Sequence, residues 1–278
     1  VQCHYLIIEV ENKLVAYLPY TILESDIFSH GGATYGGFIQ VEDLSEDEIE
    51  MLYLKIKEFF MSLSFEKLTI RFLPELFWNE YKSINTFFYD KMKTIFTEDE
   101  FYIPLSQKLV DINQSGFRRN HKRDIKRFGE KESEIIDCKS QQDIGIFHNL
   151  VTNNLLRHSV KPTHDLNELI WLANNVEKKI KIKILKDKSY LAGVTLFEIN
   201  SSTDYIMYGS LNYENNIKGS LKYLYWKIAL SSFENNKKYL SLGINNKFNE
   251  PRNELLEKFK IGFGSEIIKR HTKSIDLI

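Results

Sequence analysis

KIKILKDKSYLAGVTLFEINSSTDYIMYGSLNYENNIKGSLKYLYWKIALSSFENNKKYLSLGIN, residues 181–245, is the stretch whose reading decides the fold. It holds apolar runs rich in β-branched and aromatic residues at Ile182–Leu185, Leu191–Ile199, Tyr205–Leu211 and Tyr239–Ile244. Turn-forming residues separate the first three (Asp187-Lys188-Ser189, then Asn200 to Asp204), which predicts an antiparallel meander. Between the third and fourth runs, Leu221, Leu224, Tyr225 and Ile228 are spaced as one face of a helix over Ser220–Phe233. Strand, helix and returning strand make a crossover, so the last two strands are expected to lie parallel. The unit is β-β-β-α-β.

The same order is read roughly 170–180 residues upstream. Tyr5–Val10 and Leu14–Leu23 form a hairpin pattern, and Thr34–Gln40 is a third run. Ser45 and Glu48 open a helix as a capping box, with Ile49, Leu52, Ile56, Phe59 and Phe60 on one face. Lys67–Phe72 returns as a strand. Tyr35-Gly36 against Tyr208-Gly209 marks the expected register of the two copies. A helical stretch at Leu76–Ile95 and a strand at Phe101–Leu105 follow the first copy. A helix at Asn253–Lys260 and a strand pair around Glu266–His271 and Ser274–Leu277 follow the second. Helices are expected between the copies at Phe117–Phe128, Gln141–Leu156 and Leu166–Val176. The expected class is α/β, two tandem domains over 1–108 and 109–278, each a mixed, mostly antiparallel sheet with flanking helices.

Composition narrows the function. The 278 residues carry a formal net charge of −1, so no global field points to nucleic acid or membrane. Two cysteines, Cys3 and Cys138, are too few for a disulfide framework, and a reducing cytoplasm is the expected setting. No apolar run approaches the roughly 20 residues of a membrane span. The chain opens on Val1 beside a strand run, so the native chain is expected to begin earlier.

Chemistry-bearing residues fall in a few places. Lys218-Gly219-Ser220 lies at a strand-to-helix junction, where free amides and the helix dipole favour an anion. Arg118, Arg119, Lys122, Arg123, Lys126 and Arg127 crowd one short helix, suited either to solvent or to phosphate oxygens. His158 and His164 lie in a loop between two helices, and an imidazole suits removal of a proton from an amine near pH 7. His30 and the glycines Gly31, Gly32, Gly36 and Gly37 make a flexible or closely packed turn beside Tyr35. The histidines and cysteines show no ligand spacing, so no metal is expected.

Three stretches carry a resemblance: Gly31-Gly32-Ala33-Thr34-Tyr35-Gly36-Gly37, Phe117-Arg118-Arg119-Asn120-His121-Lys122-Arg123, and Leu256 to Gly264 with its Gly262-Phe263 ending. Together with the element order they resemble the Fem-type branch of the GNAT fold, acyl-CoA-dependent N-acyltransferases with two such domains in tandem. The resemblance implies an acyl-CoA held by the second domain, along Tyr208, Gly209, Ser210, Leu211 and Asn212, at Lys218, Gly219 and Ser220, and at Asn245. It implies an acceptor near His30, Tyr35, Gly36, Arg118, Arg119 and Lys122, in a cleft where the Gly-rich segment and the basic helix meet. The proton-transfer residues would be His164 and His158.

The reaction expected is direct attack of an amine on a thioester. The acceptor is a nucleotide-linked amino sugar, and the setting is cytoplasmic surface-polysaccharide synthesis. The partners are these small molecules rather than nucleic acid or membrane, with homo-oligomerisation open. Two departures stand out: the loop Asn212–Ser220 holds one glycine, and Phe259 or Lys258 stands where a Tyr often protonates the thiolate. Two alternatives remain open. One is a peptidoglycan-type aminoacyl transferase using charged tRNA; the other is a non-catalytic module that holds nucleotide or RNA.

Overall fold

The computed structural model describes residues 2–78, 83–176, 179–215, 217–245 and 253–277. In chain order the elements are β1 (His4–Val10), β2 (Lys13–Leu23), β3 (Asp26–Ser29), β4 (Ile39–Gln40), α1 (Glu46–Ser62), β5 (Lys67–Arg71), α2 (Ser83–Lys91) and β6 (Lys93–Pro104). They continue with α3 (Arg119–Gly129), β7 (Glu134–Asp137), α4 (Gln141–Leu156), α5 (Leu166–Asn175), β8 (Ile180–Lys186), β9 (Tyr190–Asn200) and β10 (Thr203–Leu211). The chain ends with α6 (Ser220–Glu234), β11 (Tyr239–Ile244), α7 (Glu254–Ile261) and β12 (Glu266–Asp276). Two compact units result, Val1–Asp99 with Ile268–Ile278, and Glu100–Ile267. No helix among the described residues is long and apolar enough to cross a membrane.

In the first unit the strand order is β1-β2-β3-β5-β12, with β4 on β2. Its core gathers Leu18, Ile27, Ile56, Phe60, Leu68, Ile70 and Phe88. The capping box is present: the Glu48 amide donates to Ser45 Oγ at 3.3 Å and the Ser45 amide to Glu48 Oε2 at 2.8 Å. The crossover is present too, since β3 and β5 pair in parallel from Asp26↔Lys67 to Ser29↔Ile70.

Three expectations for this unit are corrected. The third strand is Asp26–Ser29, and of Thr34–Gln40 only Ile39–Gln40 is strand. Tyr35-Gly36 therefore lies outside the named strands, with Gly36 in an isolated parallel bridge to Phe72, rather than in a strand matching Tyr208-Gly209. The stretch Leu76–Ile95 holds a 3-10 turn at Glu75–Phe77 and α2, but Lys93, Thr94 and Ile95 already belong to β6; residues 79–82 lie outside the described ones.

In the second unit the order is β6-β11-β10-β9-β8-β7. Helices α3 and α6 share a core with Val194, Leu196, Ile206 and Leu242, through Ile125, Phe128, Leu224 and Ile228. Helices α4 and α5 pack through Phe147, Val151 and Leu169 against Ile182, Ile184 and Tyr208. β10 changes register on β9 between Ile206 (opposite Leu196) and Tyr208 (opposite Thr195). One extra residue re-aims the rest of the strand by half a period. This is why Tyr208 joins the α4–α5 core while Ile206 joins the α3–α6 core.

The β7 strand, absent from the sequence reading, pairs with β8 from Glu134↔Lys186 to Asp137↔Lys183. At the chain's end the expected strand pair is one continuous strand, β12.

Candidate functional site

The two strands of the crossover, β10 and β11, are parallel for only three pairs, Thr203↔Tyr239, Asp204↔Leu240 and Tyr205↔Ser241. Beyond them β10 stays with β9 as far as Leu211↔Ala192, and β11 stays with β6 as far as Ile244↔Glu100. The strands part, and among the described residues the edge of β10 from Ile206 to Leu211 faces no strand on the β11 side. A bulge at Ser241/Gly243 turns β11 away, with Gly243 at φ +70° and the Tyr205 ring 3.2 Å from where a Cβ would stand.

A parted strand exposes backbone groups that need partners. Lys260 of α7, 5% exposed, donates from Nζ to Gly243 O at 2.9 Å and Ile244 O at 2.7 Å. Ser241 donates to Glu100 Oε1 at 2.6 Å and accepts from the Gly243 amide at 3.1 Å, and both side chains are fully buried. Asn245, the next residue of the parted strand, is 5% exposed, and neither its Nδ2 nor its Oδ1 has a hydrogen-bond partner among the described residues. An unsatisfied buried polar atom costs roughly 1–3 kcal/mol. On the β10 side the Tyr225 hydroxyl fills the space that Gly209 leaves open, 2.0 Å from an added Cβ. Burial raises the Tyr225 pKa, so the hydroxyl keeps its proton at any physiological pH.

The junction at Gly219 is packed closely against α3. Gly219 sits at φ +97°, and a Cβ there would meet Asp124 O at 2.4 Å, so glycine is required by both conformation and space. Asp124 is the anion beside this helix start: Lys222 Nζ lies 2.7 Å and Lys218 Nζ 3.9 Å from its carboxylate. Burial opposes its ionisation, but the bond and charge of Lys222, with Lys218 and Arg123, hold its pKa below the usual value. The Ser220 hydroxyl, fully buried at the same helix start, has no partner among the described residues. Asn212 bonds from its Nδ2 to Tyr190 O and accepts amides of Glu214 and Asn215, which shapes the loop.

The α4–α5 loop brings His164 to Tyr208, its ring Nδ1 2.9 Å from the hydroxyl. The hydroxyl oxygen already accepts the His164 amide at 3.1 Å and bonds from Thr163. Its proton is therefore directed to Nδ1, which leaves the imidazole hydrogen on Nε2. Burial lowers the His164 pKa and keeps the ring neutral. His158 is exposed, on the far side of that loop in sequence. In α3, Arg118, Arg119, Arg123, Lys126 and Arg127 are exposed, and Lys122 donates to Asn113 O at 2.7 Å.

In the first unit the Gly-rich segment is held by close packing. Gly36 donates to Arg71 O at 2.7 Å, and a Cβ on it would meet Ser29 O at 2.4 Å. Tyr35 lies 5.7 Å from the Arg270 guanidinium, which grips Glu98 at 2.6 Å with both side chains 4% exposed. His30, exposed at φ +55°, donates its amide to Pro19 O.

Lys260, Tyr225, Asp124 and His121 are buried positions that the sequence does not single out. The first two look like ordinary helix positions, and only the parting of the strands gives them a role. His121 is 2% exposed, donates from Nε2 to Phe259 O at 3.0 Å, and is held at a pKa of about 4 by burial, with the Lys222 charge adding to it. A Cβ on Gly262 would lie 2.0 Å from its ring, which is why the Gly262-Phe263 ending needs glycine.

A scan against protein-family models gives no match, and neither does a search of curated proteins. Solved structures do match. FemX superposes with a TM-score of 0.68 at 11% identity, covering 97% of this chain and 87% of its own. The C-terminal domain of a putative lysylphosphatidylglycerol synthetase from Agrobacterium fabrum gives 0.60 at 14% identity, covering 94% and 81%. A tandem GNAT protein from the clavulanic acid biosynthesis pathway gives 0.53 at 8% identity, covering 100% and 83%. With the parted parallel strands in the second unit, these likenesses identify the chain's fold as the GNAT-like fold of Fem-type and tandem GNAT proteins.

Proposed function

We propose that this chain is an acyltransferase that moves an acyl group from an activated carrier to an amine, with the carrier in the opening between β10 and β11. The observation that carries this reading is the early end of β10–β11 pairing, together with the Asn245 side-chain amide beside it, which has no partner among the described residues. The free edge of β10 offers backbone partners to an extended carrier arm, as an added strand would. Asn245 offers one donor and one acceptor. In this scheme the neutral amine attacks the activated carbonyl, the C–N bond forms as the acyl–carrier bond breaks, and the proton shed by the amine nitrogen ends on the departing carrier. Tyr225, kept protonated by burial, is placed to donate to the developing oxyanion or to the departing group.

Two carriers fit. Acyl-CoA is the carrier expected from the sequence, and the buried Ser220 hydroxyl at the start of α6, without a partner among the described residues, supports it. An aminoacyl-tRNA is favoured by different observations. The exposed arginines of α3 suit a polyanion, and one of the similar structures is the C-terminal domain of a putative lysylphosphatidylglycerol synthetase. The acceptors to try are the nucleotide-linked amino sugar expected from the sequence and simple alkylamines.

The test offers purified protein each carrier with each acceptor and follows amide formation by mass spectrometry. Carrier affinity is measured separately by calorimetry. Product from either carrier supports the reading. Neither product nor carrier binding sinks it.

A further inference from the structure

Outside the opening, the second unit carries a groove of about 510 Å³ lined by His164, Asn167, Glu168, Trp171 and Leu172. Its wall is the outward face of α5, since Leu169 of the same helix is fully buried on the other side. Trp171 is 59% exposed, a large indole face left to solvent.

Two carboxylates stand at the start of α5. Glu168 uses Oε2 to accept the Asp165 amide at 2.8 Å, and Asp165 accepts the Glu168 amide at 2.9 Å. Neither forms an ion pair among the described residues. The capping box accounts for one oxygen of each. It does not account for the groove, the bare indole or the missing counter-charge. The groove's remaining polar groups are Asn167, an uncharged amide, and His164, whose ring nitrogen Nδ1 lies on the Tyr208 hydroxyl and which carries no charge to repel a cation. Among the described residues no lysine or arginine lines the groove, so its charge does not match a phosphate.

We infer that this groove binds a primary ammonium carried on an apolar stem, with the ammonium between Glu168 and the Trp171 face and the stem along Trp171 and Leu172. An ammonium over an indole gains from the ring quadrupole as well as from the carboxylate. The assignment of this ligand as the amine acceptor rests on the acyl-transfer reading; the binding of the cation does not.

The probes are n-hexylammonium, 1-hexanol and hexanoate, titrated while protein NMR shifts are followed at the Trp171 indole. Hexylammonium is expected to saturate the shifts about tenfold more tightly than either other probe. Glu168→Gln keeps the cap's acceptor and should erase that preference, and Trp171→Ala should abolish the binding. Equal affinity for hexanol, or an unchanged preference in E168Q, overturns the inference and leaves a plain capping carboxylate beside an apolar face. Saturable cation binding in a protein that neither acylates an amine nor binds a carrier would keep the groove assignment and remove the acyl-transfer reading. Acylation with an E168Q KM for the amine equal to wild type would do the reverse.

Discussion

The two β-β-β-α-β units part company after their crossovers. In the first, β3 and β5 pair along the whole of β3, and the chain then lays Gly36 against Phe72 in a further parallel bridge. In the second, β10 and β11 pair for three residues and separate, leaving six residues of β10 without a described neighbour on that side (Ile206 to Leu211). One topology is thus closed in one copy and open in the other. Closure in the first is made by glycine: only a residue without a Cβ fits 2.4 Å from Ser29 O. Opening in the second is supported by Lys260, which satisfies the two carbonyls that a neighbouring strand would otherwise take. A ligand site on this fold needs the open form, which is why the proposed carrier site belongs to the second unit.

Removing the support should have the largest effect. Lys260→Met leaves Gly243 O and Ile244 O buried without their donor and should cost about 3–5 kcal/mol, read as a fall in the urea midpoint. A near-neutral result would show that the parted strand needs no such support. Gly219→Ala forces a side chain into a left-handed conformation and against Asp124 O, for an expected loss of about 3 kcal/mol and faster amide exchange in α3 and α6.

Acid should weaken the second unit through His121. Its folded pKa is about 4 against an ordinary 6.5, so the unfolded chain binds more protons between those values. The stability is complete above pH 6.5 and is lost as pH falls toward 4, by about 2 kcal/mol between pH 7 and 5. His121→Gln, which keeps a donor for Phe259 O, should flatten that slope; an unchanged slope assigns it to other groups. Gly36→Ala is expected to act on the first unit alone, costing about 1–3 kcal/mol as the backbone at Ser29 gives way to the added Cβ, read as faster amide exchange around β3 and β5. A loss of carrier binding in that variant would contradict the closed reading of the first unit.

Much of the second unit is legible in its sequence. Strands β8 to β11 and helix α6 are strongly periodic, short-looped and consistent in propensity, so pattern alone places them within a residue or two. The first unit is less legible at its third strand. Asp26–Ser29 is too short to show alternation, whereas Thr34–Gln40 is apolar for a different reason, with Phe38 in the core and the glycines packed against neighbouring backbone. His164 and Tyr208 stand out separately in the sequence; their contact depends on a one-residue bulge that no propensity records.

What the sequence determined by itself is the order of most elements, the capping-box start at Ser45 and the parallel crossovers, because these depend on local periodicity and chain handedness. Tertiary structure decided that β10 and β11 part after three pairs, that Lys260 is buried beneath them, and that the chain's last strand begins in one unit and ends in the other. The reason is physical: whether two strands stay paired depends on which distant groups compete for their amides and carbonyls, and that competition exists only once α7 and β6 have packed in place.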